Sequence, residues 1–334
     1  MGLMRLALAI AVLCSHAGVR VHGLNPGVTA VIGFYLISGY VMTGLIRRHF
    51  AAADCIPAFY VDRLLRVMPQ YLLYAAATGA WFVVTGTHTL FLTRDPGVVD
   101  LLNNLTVVPL NFYMVNGADQ FTLIPPAWSL GAELQFYLLV PCMLLWPRVG
   151  VTLALASLSV HAAALAGWLH SDWFGYRLLA GVLWVFAAGM LVFALQRRKP
   201  QWATALAVAA PLLALAIYLV LRRHGLHAVP YHQEVLLGWG VGLPLLHSLS
   251  RRRGGWLDQL AGDISYGVFL NHFLLIWALF KVTDTGTVTG ARLAWLVASS
   301  ILLGWLTQRL VEQPALAWRR RLRLSSSHAN AVPH

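Results

Sequence analysis

Arg5 and His16 lie eleven residues apart in the first apolar stretch of the chain. On an α-helix that separation is about three turns, so both project from nearly the same face, roughly 16 Å apart along the axis. A guanidinium at a membrane surface with an imidazole three turns deeper suits a ligand that has an anionic head and a long reactive arm. The imidazole could take a proton from a hydroxyl or accept a transferred group itself. A snorkelling arginine and a hydrogen-bonded core histidine are the competing reading of the same spacing.

Further polar groups stand in apolar surroundings, where Arg, Lys or Asp costs roughly 2.5–3.5 kcal/mol on insertion scales and function is the default expectation. Arg63-Leu-Leu-Arg66 places two guanidinium groups at i and i+3, on one helix face and able to clamp phosphate. Positive charge on a cytoplasmic loop would place arginines there too. Glu133 sits in Trp128-Ser-Leu-Gly-Ala-Glu-Leu-Gln-Phe-Tyr137 and is expected near the depth of His16, where it would orient the imidazole or serve as a separate acid or base. Interhelical hydrogen bonding is the alternative for this carboxylate. Ser38, within Gly33-Phe-Tyr-Leu-Ile-Ser-Gly39, adds a hydroxyl to a pattern otherwise suited to close helix packing. Asn271 and His272 form a further buried polar pair. The remaining histidines show no ligand-like arrangement with carboxylates, and no metal site is expected.

Only a membrane scaffold fits these groups. Hydrophobic residues make up 59% of the 334 residues and charged residues 11%, against about 25% charged in soluble domains. Mean hydropathy is +0.68. A secreted disulfide scaffold, a disordered chain and an ordinary cytosolic enzyme are excluded. The expected fold is all-α, a polytopic transmembrane bundle of about ten spans near 3–20, 28–46, 68–86, 128–146, 151–169, 176–195, 202–221, 233–249, 264–282 and 292–311. The long connection 87–127 is expected to hold an extra helix or a segment that dips into the membrane. Residues 1–318 read as one transmembrane domain, and 319–334 as a basic, then polar, disordered cytoplasmic tail.

The net charge of +12 does not point to nucleic acid once the charges are placed between spans. With both termini cytoplasmic, seventeen of the 24 Lys and Arg fall on the cytoplasmic side, which the positive-inside rule favours. Arg222-Arg223 are the local exception, marking a misplaced seventh span or an anion site. Cys14, Cys55 and Cys142 read as small apolar residues. A transporter or flippase for an anionic or lipid-linked solute fits ten helices with buried charges, but paired halves with broken helices are not apparent. A non-catalytic scaffold holding anionic lipid is the third possibility.

Taken in order, these segments resemble the acyltransferase-3 family of integral-membrane O-acyltransferases. Arg5 and His16 are similar to the family's first-helix motif, without the usual acidic residue just before the arginine. Gly33–Tyr40 is similar to its aromatic-then-Ser-Gly-Phe signature, with Tyr40 for phenylalanine. Arg63, Arg66 and Pro69 match its arginine pair, and Trp128–Tyr137 its Trp-Ser-Leu…Glu…Phe-Tyr segment. Tyr266–His272 and Glu312-Gln313-Pro314 resemble the closing motifs, with Gln313 where arginine is common.

The resemblance implies transfer of an acyl group, usually acetyl, from cytosolic acyl-CoA to a hydroxyl of a glycan, a lipid-linked sugar or a glycosylated metabolite. Acyl-CoA is the donor substrate, and no permanently bound cofactor is expected. On this reading His16 and Glu133 are catalytic, and Arg63 and Arg66, with Arg5, receive the nucleotide phosphates. Ser38, Trp128, Tyr137, Asn271 and His272 bind substrate or support the site. The expected setting is a bacterial cytoplasmic (inner) membrane, with membrane lipids as further partners. Some relatives carry an extracytoplasmic hydrolase-like domain. None is expected here, so transfer would be completed within the membrane domain.

Overall fold

The computed structural model describes residues 1–284 and 286–316. The expected tail 319–334, with Arg319, Arg320, Arg321 and Arg323, lies outside them. The described chain is helical. Ten long helices are α1 (Gly2–His16), α2 (Pro26–His49), α3 (Ile56–Thr85), α6 (Ala127–Leu145), α7 (Pro147–Leu165), α8 (Leu179–Arg198), α9 (Pro200–Arg223), α10 (His232–Ser250), α11 (Trp256–Ala278) and α12 (Gly290–Thr307). Two short helices, α4 (Val98–Thr106) and α5 (Tyr113–Asn116), lie between α3 and α6.

Eight of the described helices are long and apolar enough to cross a membrane, and the bent pair Val98–Thr106 with Val108–Asn116 makes nine if it forms one span, against about ten expected. The first shortfall is α1, which stops at His16 rather than near residue 20. Gly18 takes a left-handed backbone at φ +94°. Its N–H donates to the Ser15 carbonyl at 3.1 Å, and the Val19 N–H donates to the Cys14 carbonyl at 2.9 Å. That pair of bonds is a Schellman closure, which favours glycine because it has no Cβ to clash. Fifteen residues then span only about 22 Å. The second shortfall is α10, which has the length but opens on His232-Gln233-Glu234 and falls below the required hydropathy.

The third helix departs in the other direction. It begins at Ile56 rather than near residue 68, and runs for 30 residues straight through Pro69. Arg63 and Arg66 therefore stand on a helix and not in a loop. Proline is tolerated inside such helices because neighbouring groups satisfy the freed backbone. The connection 87–127 holds the anticipated extra element: α4 and the segment Val108–Asn116 meet at 107°, about Val107 at φ 66°. Helix α9 continues through Arg222 and Arg223, so the seventh span is not misplaced.

Helix α1 packs between α2 and α11, α2 is flanked by α8 and α10, and α12 lies outside α11. Helices α7, α9 and α12 are mostly exposed at the periphery, as lipid-facing helices are. Glycine sets the approach of α2 to α8. A Cβ on Gly39 would stand 1.9 Å from the Phe186 carbonyl oxygen, and one on Gly189 would stand 2.0 Å from the Leu36 carbonyl oxygen. Small residues at both contact points let the two backbones touch. Gly39→Ala should therefore force α2 from α8 and cost at least about 1–3 kcal/mol, read as a lower Tm of the detergent-solubilised protein. An unchanged Tm would mean that the glycine is not holding the pair together.

Candidate active site

Arg5, Ser38, Arg63, Arg66, Glu133 and Tyr137 come together around one inner chamber of about 180 Å³. They arrive from α1, α2, α3 and α6, helices whose sequence positions are far apart. Glu133 is held by two hydroxyls: Ser38 Oγ donates to its Oε1 at 2.7 Å and Tyr137 OH at 2.6 Å. The second is an i, i+4 contact on α6, and the first ties α6 to α2. In Ser38-Gly39, the glycine thus closes on α8 while the serine next to it holds the carboxylate.

The three arginines differ in their partners. Arg63 is ion-paired with Asp62 and stands 5.9 Å from the Tyr137 ring centroid. Arg66 is ion-paired with Glu312, joining α3 to the turn of helix that follows α12, and lies 5.6 Å from the Tyr266 ring centroid. Arg5 also lines the chamber, and no described carboxylate lies within ion-pairing distance of it. Sequence reasoning gave the leading role to Arg63 and Arg66. The structure occupies both with carboxylates and leaves Arg5 open to a ligand.

His16 lies in a second, outer chamber of about 60 Å³, with Ser15, Asn25, Trp128, Tyr176 and Arg177. The two chambers share Val31 and Ser129 in their walls. Helix α1 thus carries Arg5 in one and His16 in the other, the separation its spacing predicted. The expected pairing of Glu133 with His16 is not found: no ion pair or hydrogen bond joins them. Trp128 and Ser129 line the outer chamber, and the helical rise carries Glu133 inward by about a turn.

His272 takes the place expected of Glu133. His16 Nδ1 lies 2.9 Å from His272 Nε2, and the rings are within 8° of parallel. His272 Nδ1 faces the Val268 carbonyl at 3.2 Å. A carbonyl can only accept, so His272 carries its proton on Nδ1 and presents a lone pair at Nε2. His16 then donates from its own Nδ1 and keeps a lone pair on Nε2, the tautomer of a base or nucleophile. A histidine oriented by a second group is the logic of hydrolytic triads, here with an imidazole in the orienting position. Asn271, adjacent in sequence, faces elsewhere: it donates to the Ser300 carbonyl at 2.9 Å and ties α11 to α12.

Arg177 was missed. It lies 4.5 Å from the Trp128 ring centroid, and its Nε donates to Asp172 at 2.6 Å. It falls at the start of the expected span 176–195, and its aromatic partners Tyr113 and Trp128 come from two other segments. Asn25 was also missed. Its Oδ1 accepts from the Gly27 N–H at 2.9 Å as the N-cap of α2, and the cap signature Asn25-Pro26 was visible in the sequence.

The sequence profile of the family described as an acyltransferase domain matches residues 1–309. The chain belongs to the acyltransferase-3 family. This acyltransferase is 28% identical over 382 residues to "Nodulation protein 10" of Rhizobium leguminosarum bv. viciae, covering 96% of this chain and 94% of that protein. It is 30% identical over 348 residues to "Putative membrane-bound transacylase BcsY" of Komagataeibacter xylinus, covering 99% and 86%. It is also 31% identical over 151 residues to a Staphylococcus aureus protein named "Putative O-acetyltransferase SACOL0978", covering 41% and 23%. No solved structure matches the chain. The protein is an integral-membrane O-acyltransferase.

The Arg66–Glu312 pair connects α3 to the helical turn after α12 and is almost wholly buried. Removing one partner of such a pair leaves an uncompensated charge and typically costs about 3–5 kcal/mol. Glu312→Gln should lower Tm accordingly, while Arg66→Met combined with Glu312→Leu should restore most of the loss. Thermal unfolding of the three proteins in one detergent checks this. A double variant no more stable than the single one would show that more than charge pairing is lost.

Proposed function

We propose that the protein moves an acyl group, most simply acetyl, from cytosolic acyl-CoA to a sugar hydroxyl presented at the opposite end of the bundle. The observation that carries the reading is the His16–His272 relay, which leaves a basic nitrogen in a chamber that adjoins an arginine-lined one. The phosphate-bearing end of the donor stays on the arginine side, with Arg5 as its open cation. The arm extends along α1 and brings the thioester to His16. The aromatic faces of Trp128 and Tyr176, with the Arg177 guanidinium, offer a sugar both a flat apolar surface and hydrogen-bond donors.

In the proposed step, His16 Nε2 accepts the proton of the acceptor hydroxyl as its oxygen attacks the thioester carbonyl. The C–S bond breaks, the ester forms, and the departing thiolate takes the proton from His16. His272 holds the imidazole in the required tautomer throughout. Glu133, in the inner chamber, faces the donor rather than the acceptor and complements Arg63 and the hydroxyls around it. The arginine-rich end, where α1 begins and α2 and α8 end, faces the cytoplasm of a bacterial inner membrane, in keeping with the positive-inside rule.

The test is transfer of label from acetyl-labelled acetyl-CoA to glycan-bearing envelope by membranes containing the protein. His16→Ala at matched expression should lower the rate by about 10²–10⁴-fold, the contribution of a positioned base. Equal transfer by both would remove His16 from the chemistry. His272→Gln retains an acceptor for the His16 Nδ1–H, so it should keep more kcat than His272→Leu with KM unchanged. An acyl-imidazole trapped in single turnover would replace direct transfer with a two-step route through the same nitrogen.

A further inference from the structure

A third cavity, of about 760 Å³, opens where α2 ends and α8 ends. Its walls carry four guanidinium groups, from Arg47, Arg48, Arg63 and Arg197, and not one carboxylate among the lining residues. Arg63 is partnered by Asp62. Among the described residues, no carboxylate pairs with Arg47, Arg48 or Arg197. Positive charge at this end of a membrane protein is expected on topological grounds alone, but charges that only set topology have no need to line a cavity. Phe193 projects between two of them, with Arg47 at 6.0 Å and Arg197 at 5.5 Å from its ring centroid. Tyr40, donating to Gln196 at 2.9 Å, adds a second fixed aromatic ring.

The cavity adjoins the inner chamber of the candidate site. It shares Val41 and Arg63 with the inner chamber, so three cavities run in series from this mouth to His16. The inner chamber, at about 180 Å³, is far smaller than the mouth, and two of its arginines are already neutralised. A ligand with a bulky polyanionic head and a thin arm fits that taper in one direction only.

We propose that Arg47, Arg48 and Arg197 form the seat of the donor's nucleotide, a 3′-phosphorylated adenosine diphosphate, with Phe193 available for the purine. This rests on the acyl-CoA reading above and moves the nucleotide phosphates outward from Arg5 in the inner chamber to the open mouth. Guanidinium groups suit phosphate because they bind it through paired, charge-assisted hydrogen bonds.

All three arginines are exposed, so substitutions there leave the bundle intact. The full-length protein in nanodiscs of zwitterionic lipid would be titrated with acetyl-CoA and with its 3′-dephospho analogue. Wild type should bind acetyl-CoA about tenfold or more tightly, the worth of one well-made phosphate contact. Arg48→Ala with Arg197→Ala should bind both donors equally weakly, with kcat for transfer largely kept and KM raised. The Arg48→Lys, Arg197→Lys protein should recover part of the preference.

If the alanine variant keeps the wild-type preference, the seat is elsewhere and this inference falls while the donor reading stands. If wild type neither binds acetyl-CoA nor transfers from it, the donor reading falls and the inference with it. The same pair of proteins in anionic-lipid nanodiscs separates the remaining source of phosphate. A lost dependence on anionic lipid with donor preference unchanged would make the cluster a lipid headgroup site and overturn the nucleotide.

Discussion

Hydrocarbon offers no water to a buried charge, so an ion in this bundle is answered by another part of the chain or, at Arg5, left to a ligand. That constraint organises the molecule. Glu312 has to meet Arg66, and doing so brings the end of the described chain against α3. Glu133 has to find donors, and its two hydroxyls come from α2 and from its own helix. The helices are held less by matching apolar faces, which lipid would cover equally well, than by these polar ties and by glycine contacts such as Gly39 against α8. Residues that line the candidate site, Arg66 and Glu133 among them, are therefore also ties that hold the fold together.

Within that framework α1 acts as a rigid spacer. It fixes the distance between Arg5 and His16, and the Schellman closure at Gly18 places the imidazole on its last turn. Helix α11 then supplies the histidine that orients it. Because His272 is anchored to its own helix through the Val268 carbonyl, the orientation of His16 is set by α1–α11 packing rather than by a mobile loop. Site precision here is a property of helix packing.

Much of this was legible in the sequence. The i, i+3 arginines do share a face, Trp128 and Glu133 do enter the site on one helix, and the apolar runs located most of the helices. What failed was partnership across the bundle. Depth along a helix gave Glu133 as the natural neighbour of His16, but depth does not fix which sides of two helices face one another, and only packing revealed His272. The same gap hid Trp128 from Arg177 and Glu312 from Arg66. Helix ends failed for local reasons: the apolar run through Ala17 and Val19 outweighed Gly18, and Pro69 was read as a beginning when the bundle tolerates it in mid-helix.

The wall shared by the inner and outer chambers, at Val31 and Ser129, has an electrical consequence. Neither side chain is charged, so an ion crossing this wall would meet no counter-charge there. On the proposed route the phosphates remain behind with the arginines, and what passes the wall is an uncharged thioester. The acyl group therefore changes sides without moving net charge through the field. Such an enzyme can be built into an energised membrane without drawing on its potential or offering ions a conducting route.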